Sequence, residues 1–126
     1  MSAFPELAGE AYINLESFKR DGTGVRTPVW FAEHEGALYI YTLANAYKVK
    51  RIRRNPQVRV IACDFRGNPR PGASWRAAVA RIEDPSGTAL GHRVLNQKYG
   101  WKKRIGDLFS ARLMRRKRAV ISIRPA

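Results

Sequence analysis

Tight-turn sequences cut this chain into short runs, and that restricts it to a fold built of short strands and brief helices. The turns are Asp21-Gly22-Thr23-Gly24, His34-Glu35-Gly36, Asn55-Pro56 and the Pro/Gly-rich stretch Arg66 to Gly72. Between them the apolar pattern predicts strands. Glu10 to Phe18 alternates loosely, with Ile13 and Leu15 on one side and Tyr12, Asn14, Glu16 and Phe18 on the other. Arg26 to Glu33 reads as a second strand. Pro28 inside it predicts an edge or a bulge, because proline cannot donate to a ladder. Ala37 to Thr42, Val58 to Phe65, Ser74 to Glu83 and Ala119 to Ile123 complete six strands.

Three helices are predicted between them. Ala46 to Arg54 has Asn45 as its expected N-cap and turns Val49 and Ile52 to the core. Residues 86–98 form a weaker helix, because Gly87 and Gly91 lower its propensity. Trp101 to Met114 places Ile105, Leu108, Phe109 and Leu113 on one face. Six short strands, with helices between the later ones, predict a mainly β protein with helices, in the form of a closed or split barrel. At 126 residues the chain is expected to be one domain, residues 1–126.

No apolar run reaches the roughly 18 residues of a membrane span, and the N-terminus has neither the basic start nor the apolar stretch of a signal peptide. The expected location is the cytoplasm. A single cysteine, Cys63, excludes an intramolecular disulfide. It sits mid-strand among apolar neighbours and reads as an inert core thiol. With one cysteine and only His34 and His92, no zinc spacing exists, and no metal site is expected.

Charge narrows the choice of partner. The formal net charge is +14, and it is uneven. Residues 1–47 carry three cations against six anions, whereas residues 48–126 carry 21 cations against four anions. An excess of this size calls for an anionic partner, and leaves nucleic acid, a membrane surface and a phosphorylated cofactor open. Within the excess, Arg26 begins the second strand, Thr42 ends the third, and Lys48 opens the first helix, followed by Lys50 and Arg51. A helix N-terminus offers free N–H groups to a phosphate, and Lys, Arg and Thr add a point charge, a fork and a neutral donor. The plainer alternative is a solvated basic helix face.

The order of these residues resembles the pyridoxamine 5′-phosphate oxidase-like split-barrel family. The matching stretches are Tyr12 to Gly22, Arg26-Thr27-Pro28-Val29-Trp30-Phe31, Tyr41-Thr42 and Lys48 to Pro56. Lys98-Tyr99-Gly100-Trp101 is similar to the branch of coenzyme F420-dependent oxidoreductases. The resemblance implies a six-stranded split β-barrel of the FMN-binding type, a homodimer with two cofactor sites between its subunits, and F420 as cofactor, with FMN the alternative. By resemblance, Arg26, Thr42 and Lys48 would hold the cofactor phosphate, assisted by Lys50 or Arg51. The ring would lie along Thr27, Pro28, Val29 and Trp30. Tyr47 departs from the pattern, which has a small residue before the lysine.

Hydride chemistry would then belong to the cofactor, so no catalytic side chain is assigned, and a small planar unsaturated substrate would stack on the ring. Tyr99 and Trp101 are candidates for lining it, with ordinary packing as their plainer role. A polyglutamate tail on F420 would make use of a broad basic surface, which favours F420 over FMN. Two other functions compete. One is a basic β-barrel that binds nucleic acid without catalysis; the cations stand on helices rather than on the aromatic strands, which speaks against it. The other is a carrier of a cofactor or tetrapyrrole. The run Arg112 to Arg118 reads first as a charged helix end.

Overall fold

The structure, a computed structural model, describes residues 3–43, 46–84, 86–95, 97–98 and 118–126. Seven strands form one antiparallel sheet: β1 (Tyr12–Phe18), β2 (Gly24–Trp30), β3 (Ala32–His34), β4 (Ala37–Leu43), β5 (Gln57–Cys63), β6 (Arg76–Ile82) and β7 (Arg118–Pro125). Helix α1 (Tyr47–Arg54) joins β4 to β5, and a second helix, α2, covers residues 86–95.

The sheet order is β2-β1-β5-β6-β7-β4-β3. Its two outermost strands, β2 and β3, are separated in sequence only by Phe31. One stretch of chain therefore supplies both edges, and the sheet must curl until they meet. The result is an open, split barrel. Sequence predicts one strand over Arg26 to Glu33, and the structure breaks it at Phe31, whose ring turns into the core. The seventh strand arises from that break. Pro28 lies on the edge strand, opposite Asn14, where its missing N–H costs no ladder bond.

Turn chemistry fixes the hairpins. Between β3 and β4, Glu35 and Gly36 both have positive φ, 49° and 80°. His34 pairs with Ala37 around them, as a two-residue loop matched to strand twist requires. Between β1 and β2, the Thr23 N–H donates to Asp21 Oδ1, and Gly22 takes a φ of 89°.

Alternation sorts the side chains. Ile13, Leu15, Leu38, Ile40, Val60 and Ile121 point inward and fill the barrel. Val49 and Ile52, three residues apart, let α1 close one end of that core. Its N-cap position is Ala46, with no side-chain hydrogen bond, in place of the expected Asn45. Asn45 lies outside the described residues, as does the helix expected over Trp101 to Met114.

The other face of β3, β4 and β7 is covered by α2, where Val94 and Leu95 meet Ala37, Tyr39 and Val120. Asp84 caps this helix, accepting from the Gly87 N–H at 2.9 Å. Gly91 weakens the helix in isolation but is needed in place. A Cβ there would stand 2.5 Å from Val120 Cγ1. Gly91→Ala is expected to lower stability by about 1–2 kcal/mol, the overpacking cost net of the helix-propensity gain. Urea unfolding would measure it, and a gain in stability would contradict the close helix–sheet contact.

Candidate functional site

The phosphate-type constellation expected from sequence is only partly assembled. Lys48 and Arg51 come together on α1. Burial, and then the Arg51 charge, push the Lys48 ammonium below the ordinary lysine range. Among the described residues no carboxylate pairs with it. Arg51 points back to the barrel, and its Nε donates to Ser17 Oγ at 2.7 Å. The first N–H groups of α1, on Tyr47 and Lys48, precede any carbonyl that the helix could offer them. Lys50 is exposed. Thr42 is partly buried on β4, opposite Ala119, on the strand that leads into α1.

The β2 residues divide by face. Thr27 and Val29 stand opposite Leu15 and Ile13, on the inward side. Arg26, Pro28 and Trp30 stand opposite Glu16, Asn14 and Tyr12, on the outward side. Trp30 is 38 % exposed, and its ring lies 6.2 Å from that of Tyr12, tilted. Among the described strands, β2 is an edge and pairs with β1.

Arg26 belongs to a cluster that the sequence reading missed. Its Nε donates to Glu16 Oε2 at 2.9 Å, while Arg59 Nε donates to the other carboxylate oxygen at 2.6 Å. The Glu16 side chain is only 3 % exposed, but that of Arg26 is 54 % exposed. Burial alone would raise the Glu16 carboxyl; hydrogen bonds and charge from Arg26 and Arg59 outweigh it and hold it below the ordinary range. Trp75 lies against both guanidinium groups, at 4.7 and 5.2 Å. Arg26 is thus held in a fixed direction while about half of its side chain stays in solvent. The signal for this cluster was the opposite-charge register of Glu16 with Arg26 and Arg59.

Other groups are placed as follows. Burial pushes the Cys63 thiol up to about 11, consistent with an inert core cysteine. The Tyr41 hydroxyl bonds His92 Nδ1 between β4 and α2. Lys98 reaches the Glu10 carbonyl at 2.7 Å and covers the Phe31 ring at 3.6 Å. Desolvation there pushes its ammonium down to about 8, against the pull of Glu10 and Glu33. Tyr99, Trp101 and residues 112–117 of the basic run lie outside the described residues. Among the described residues no three His, Cys, Asp or Glu side chains gather as metal ligands, and no helix is long and apolar enough to cross a membrane. A groove of about 640 Å³ runs between Glu10, Arg70 and Trp75, and a cleft of about 440 Å³ lies beside Ile82. None of the residues expected to hold a cofactor lines either hollow.

No protein-family model matches the sequence, and no curated protein does. Solved structures do match the fold. A candidate pyridoxamine 5′-phosphate oxidase from Listeria innocua aligns with a TM-score of 0.60 at 22 % identity, over 94 % of this chain and 86 % of that one. A protein described as an F420 reductase aligns with a TM-score of 0.60 at 22 % identity, over 98 % of this chain and 92 % of that one. The heme storage protein HutZ of Vibrio cholerae aligns with a TM-score of 0.68 at 16 % identity, over 100 % and 92 %. At these identities the likeness is one of fold, and the chain has the split β-barrel fold that pyridoxamine 5′-phosphate oxidase-like proteins share.

Proposed function

We propose that this chain is an oxidoreductase that holds a phosphorylated flavin-type cofactor, F420 in the first place and FMN as the alternative. The observation that carries the reading is Lys48: a partly buried cation, lowered by burial, with no described carboxylate to neutralise it. A cation kept in that state is stabilised by an incoming anion. The residues fit the group in two further ways. The start of α1 offers N–H groups beside Lys48, and Thr42 stands on the strand leading to it. The position of β2 at the edge of the described sheet and the exposure of Trp30 suit a flat ring.

When bound, the cofactor supplies hydride transfer to or from a small planar unsaturated substrate. The chain's own residues do the rest. Lys48 and Arg51 neutralise the phosphate, with Lys50 able to reach an outer oxygen. Arg26, fixed by Glu16 and Trp75, orients a second anionic group. Thr27 to Trp30 set the ring against the sheet and keep water from one face. Neither the groove nor the cleft is lined by these cofactor-holding residues, and a homodimer would supply a further wall. We assign all 126 residues to this one cofactor domain.

Parallel titrations with F420 and FMN, followed by fluorescence at two salt concentrations, test the reading. The expected result is saturable binding with preference for F420, then oxidation of the reduced form by a planar acceptor. Failure to bind either cofactor would overturn it. A carrier role is the second reading, favoured by the fold shared with HutZ. Retention of cofactor or heme with no turnover by any acceptor would select it.

A further inference from the structure

The acidic side chains of this protein are spent away from one of its most basic elements. Nine of the ten carboxylates fall among the described residues. Glu6, Glu10, Glu16 and Glu83 pair with Arg76, Arg70, Arg26 with Arg59, and Arg81. Glu35 faces His34, and Glu33 accepts from the Ala3 and Phe4 N–H groups. Asp21 and Asp64 cap turns, and Asp84 caps α2. None forms an ion pair with α1, which carries Lys48, Lys50, Arg51, Arg53 and Arg54 within eight residues.

This helix continues into a second basic segment. Arg54 Nη2 donates to the Phe18 carbonyl at 3.1 Å, which sets the end of α1 beside the exposed Lys19 and Arg20 of the β1–β2 turn. Lys19, Arg20, Lys50 and Arg54 thus share one surface. Arg53 flanks it and shares a cleft with Asp84. Tyr47 stands at the head of α1, 76 % exposed, with Lys50 Nζ 5.4 Å from its ring centroid.

We infer that this surface, which shares only Lys50 with the proposed cofactor site, docks single-stranded nucleic acid. The four exposed cations would meet successive phosphates, and a base would stack on Tyr47. From sequence, cations and aromatics stand on different elements; Tyr47 joins them on one. An anionic membrane is the poorer fit. A surface-bound helix needs an apolar face to insert, and the apolar residues of α1, Val49 and Ile52, are sealed in the barrel core.

The test is anisotropy of a labelled 20-nucleotide thymidine or uridine strand with the full chain, the Lys19→Glu/Arg20→Glu variant and Tyr47→Ala. With four phosphate contacts the affinity for a single strand should fall roughly 20-fold for a threefold rise in salt. The double variant should bind at least tenfold more weakly at low salt, with a salt slope shallower by about 1.4. Tyr47→Ala should lose about tenfold. Cofactor titration of the double variant should match that of the parent chain, and thermal melting should confirm its fold. Absence of strand binding at low salt would overturn the inference, whatever the cofactor result. So would strand affinity unchanged in both variants, or equal affinity for phosphatidylserine vesicles or polyglutamate that ignores Tyr47.

Discussion

Lys48→Ala should weaken cofactor binding by about 1.5–3 kcal/mol, the scale of a hydrogen bond to a charged group, while leaving thermal stability unchanged or slightly raised. The two halves of that expectation have one cause. Lys48 has no described ion pair to lose, and burial and Arg51 already disfavour its charge. Its removal therefore costs the fold nothing electrostatically, whereas a phosphate at the head of α1 loses its point charge. Titration and melting of the same preparation check this. Unchanged affinity would move the phosphate away from α1. A large fall in melting temperature would make Lys48 a structural residue instead.

Glu16→Gln should do the reverse and strike stability first. The Glu16 carboxylate is buried and takes hydrogen bonds from both Arg26 and Arg59. Gln keeps the shape but leaves one guanidinium facing an amide N–H₂. The arginines remain half in water, which moderates the cost. About 2–3 kcal/mol is expected, or roughly 10 °C in melting temperature. The pH dependence has a definite sign. The folded-state pKa of Glu16 lies below the ordinary value. Its contribution is therefore complete above the unfolded glutamate pKa of about 4.3 and is lost as pH falls through the lower folded value. Urea unfolding of parent and variant from pH 7 down to acid should show the gap closing in that window. A gap that is constant with pH would show that packing, not the carboxylate charge, carries the effect. Cofactor affinity should fall as well, because Arg26 loses the group that aims it.

Much of the barrel was legible because the strand period and the turn residues agree. Ile13 and Leu15 alternate against Tyr12 and Asn14, and the structure buries the first pair in the core. Pro28 announced an edge or a bulge, and β2 is an edge of the described sheet. The break at Phe31 was not legible. Nothing at Phe31 itself interrupts the strand pattern; it is closure of the sheet, a tertiary demand, that bends the chain there. Gly91 misled in an instructive way. It reads as a weak helix residue, yet it is the residue whose missing Cβ admits Val120.

The site was legible as a set of residue types on adjacent elements, less so as an arrangement. Lys48 and Arg51 share a helix, so spacing alone brings them together. The direction of Arg26 depends on cross-strand neighbours. Glu16 and Arg59 are separated from it by 10 and 33 positions in sequence, and only the β2-β1-β5 order makes them partners. Trp75 joins them from beyond β5, ahead of β6, a placement that no local pattern predicts.

The most direct test of the account compares the preferred cofactor with its phosphate-free core, riboflavin in the case of FMN, on the parent chain and on Lys48→Ala. If α1 holds the phosphate, the parent should prefer the phosphorylated form by tenfold or more, and Lys48→Ala should lose most of that preference while still binding the ring. Equal affinity of the parent for both forms, or an undiminished preference in Lys48→Ala, would contradict the site.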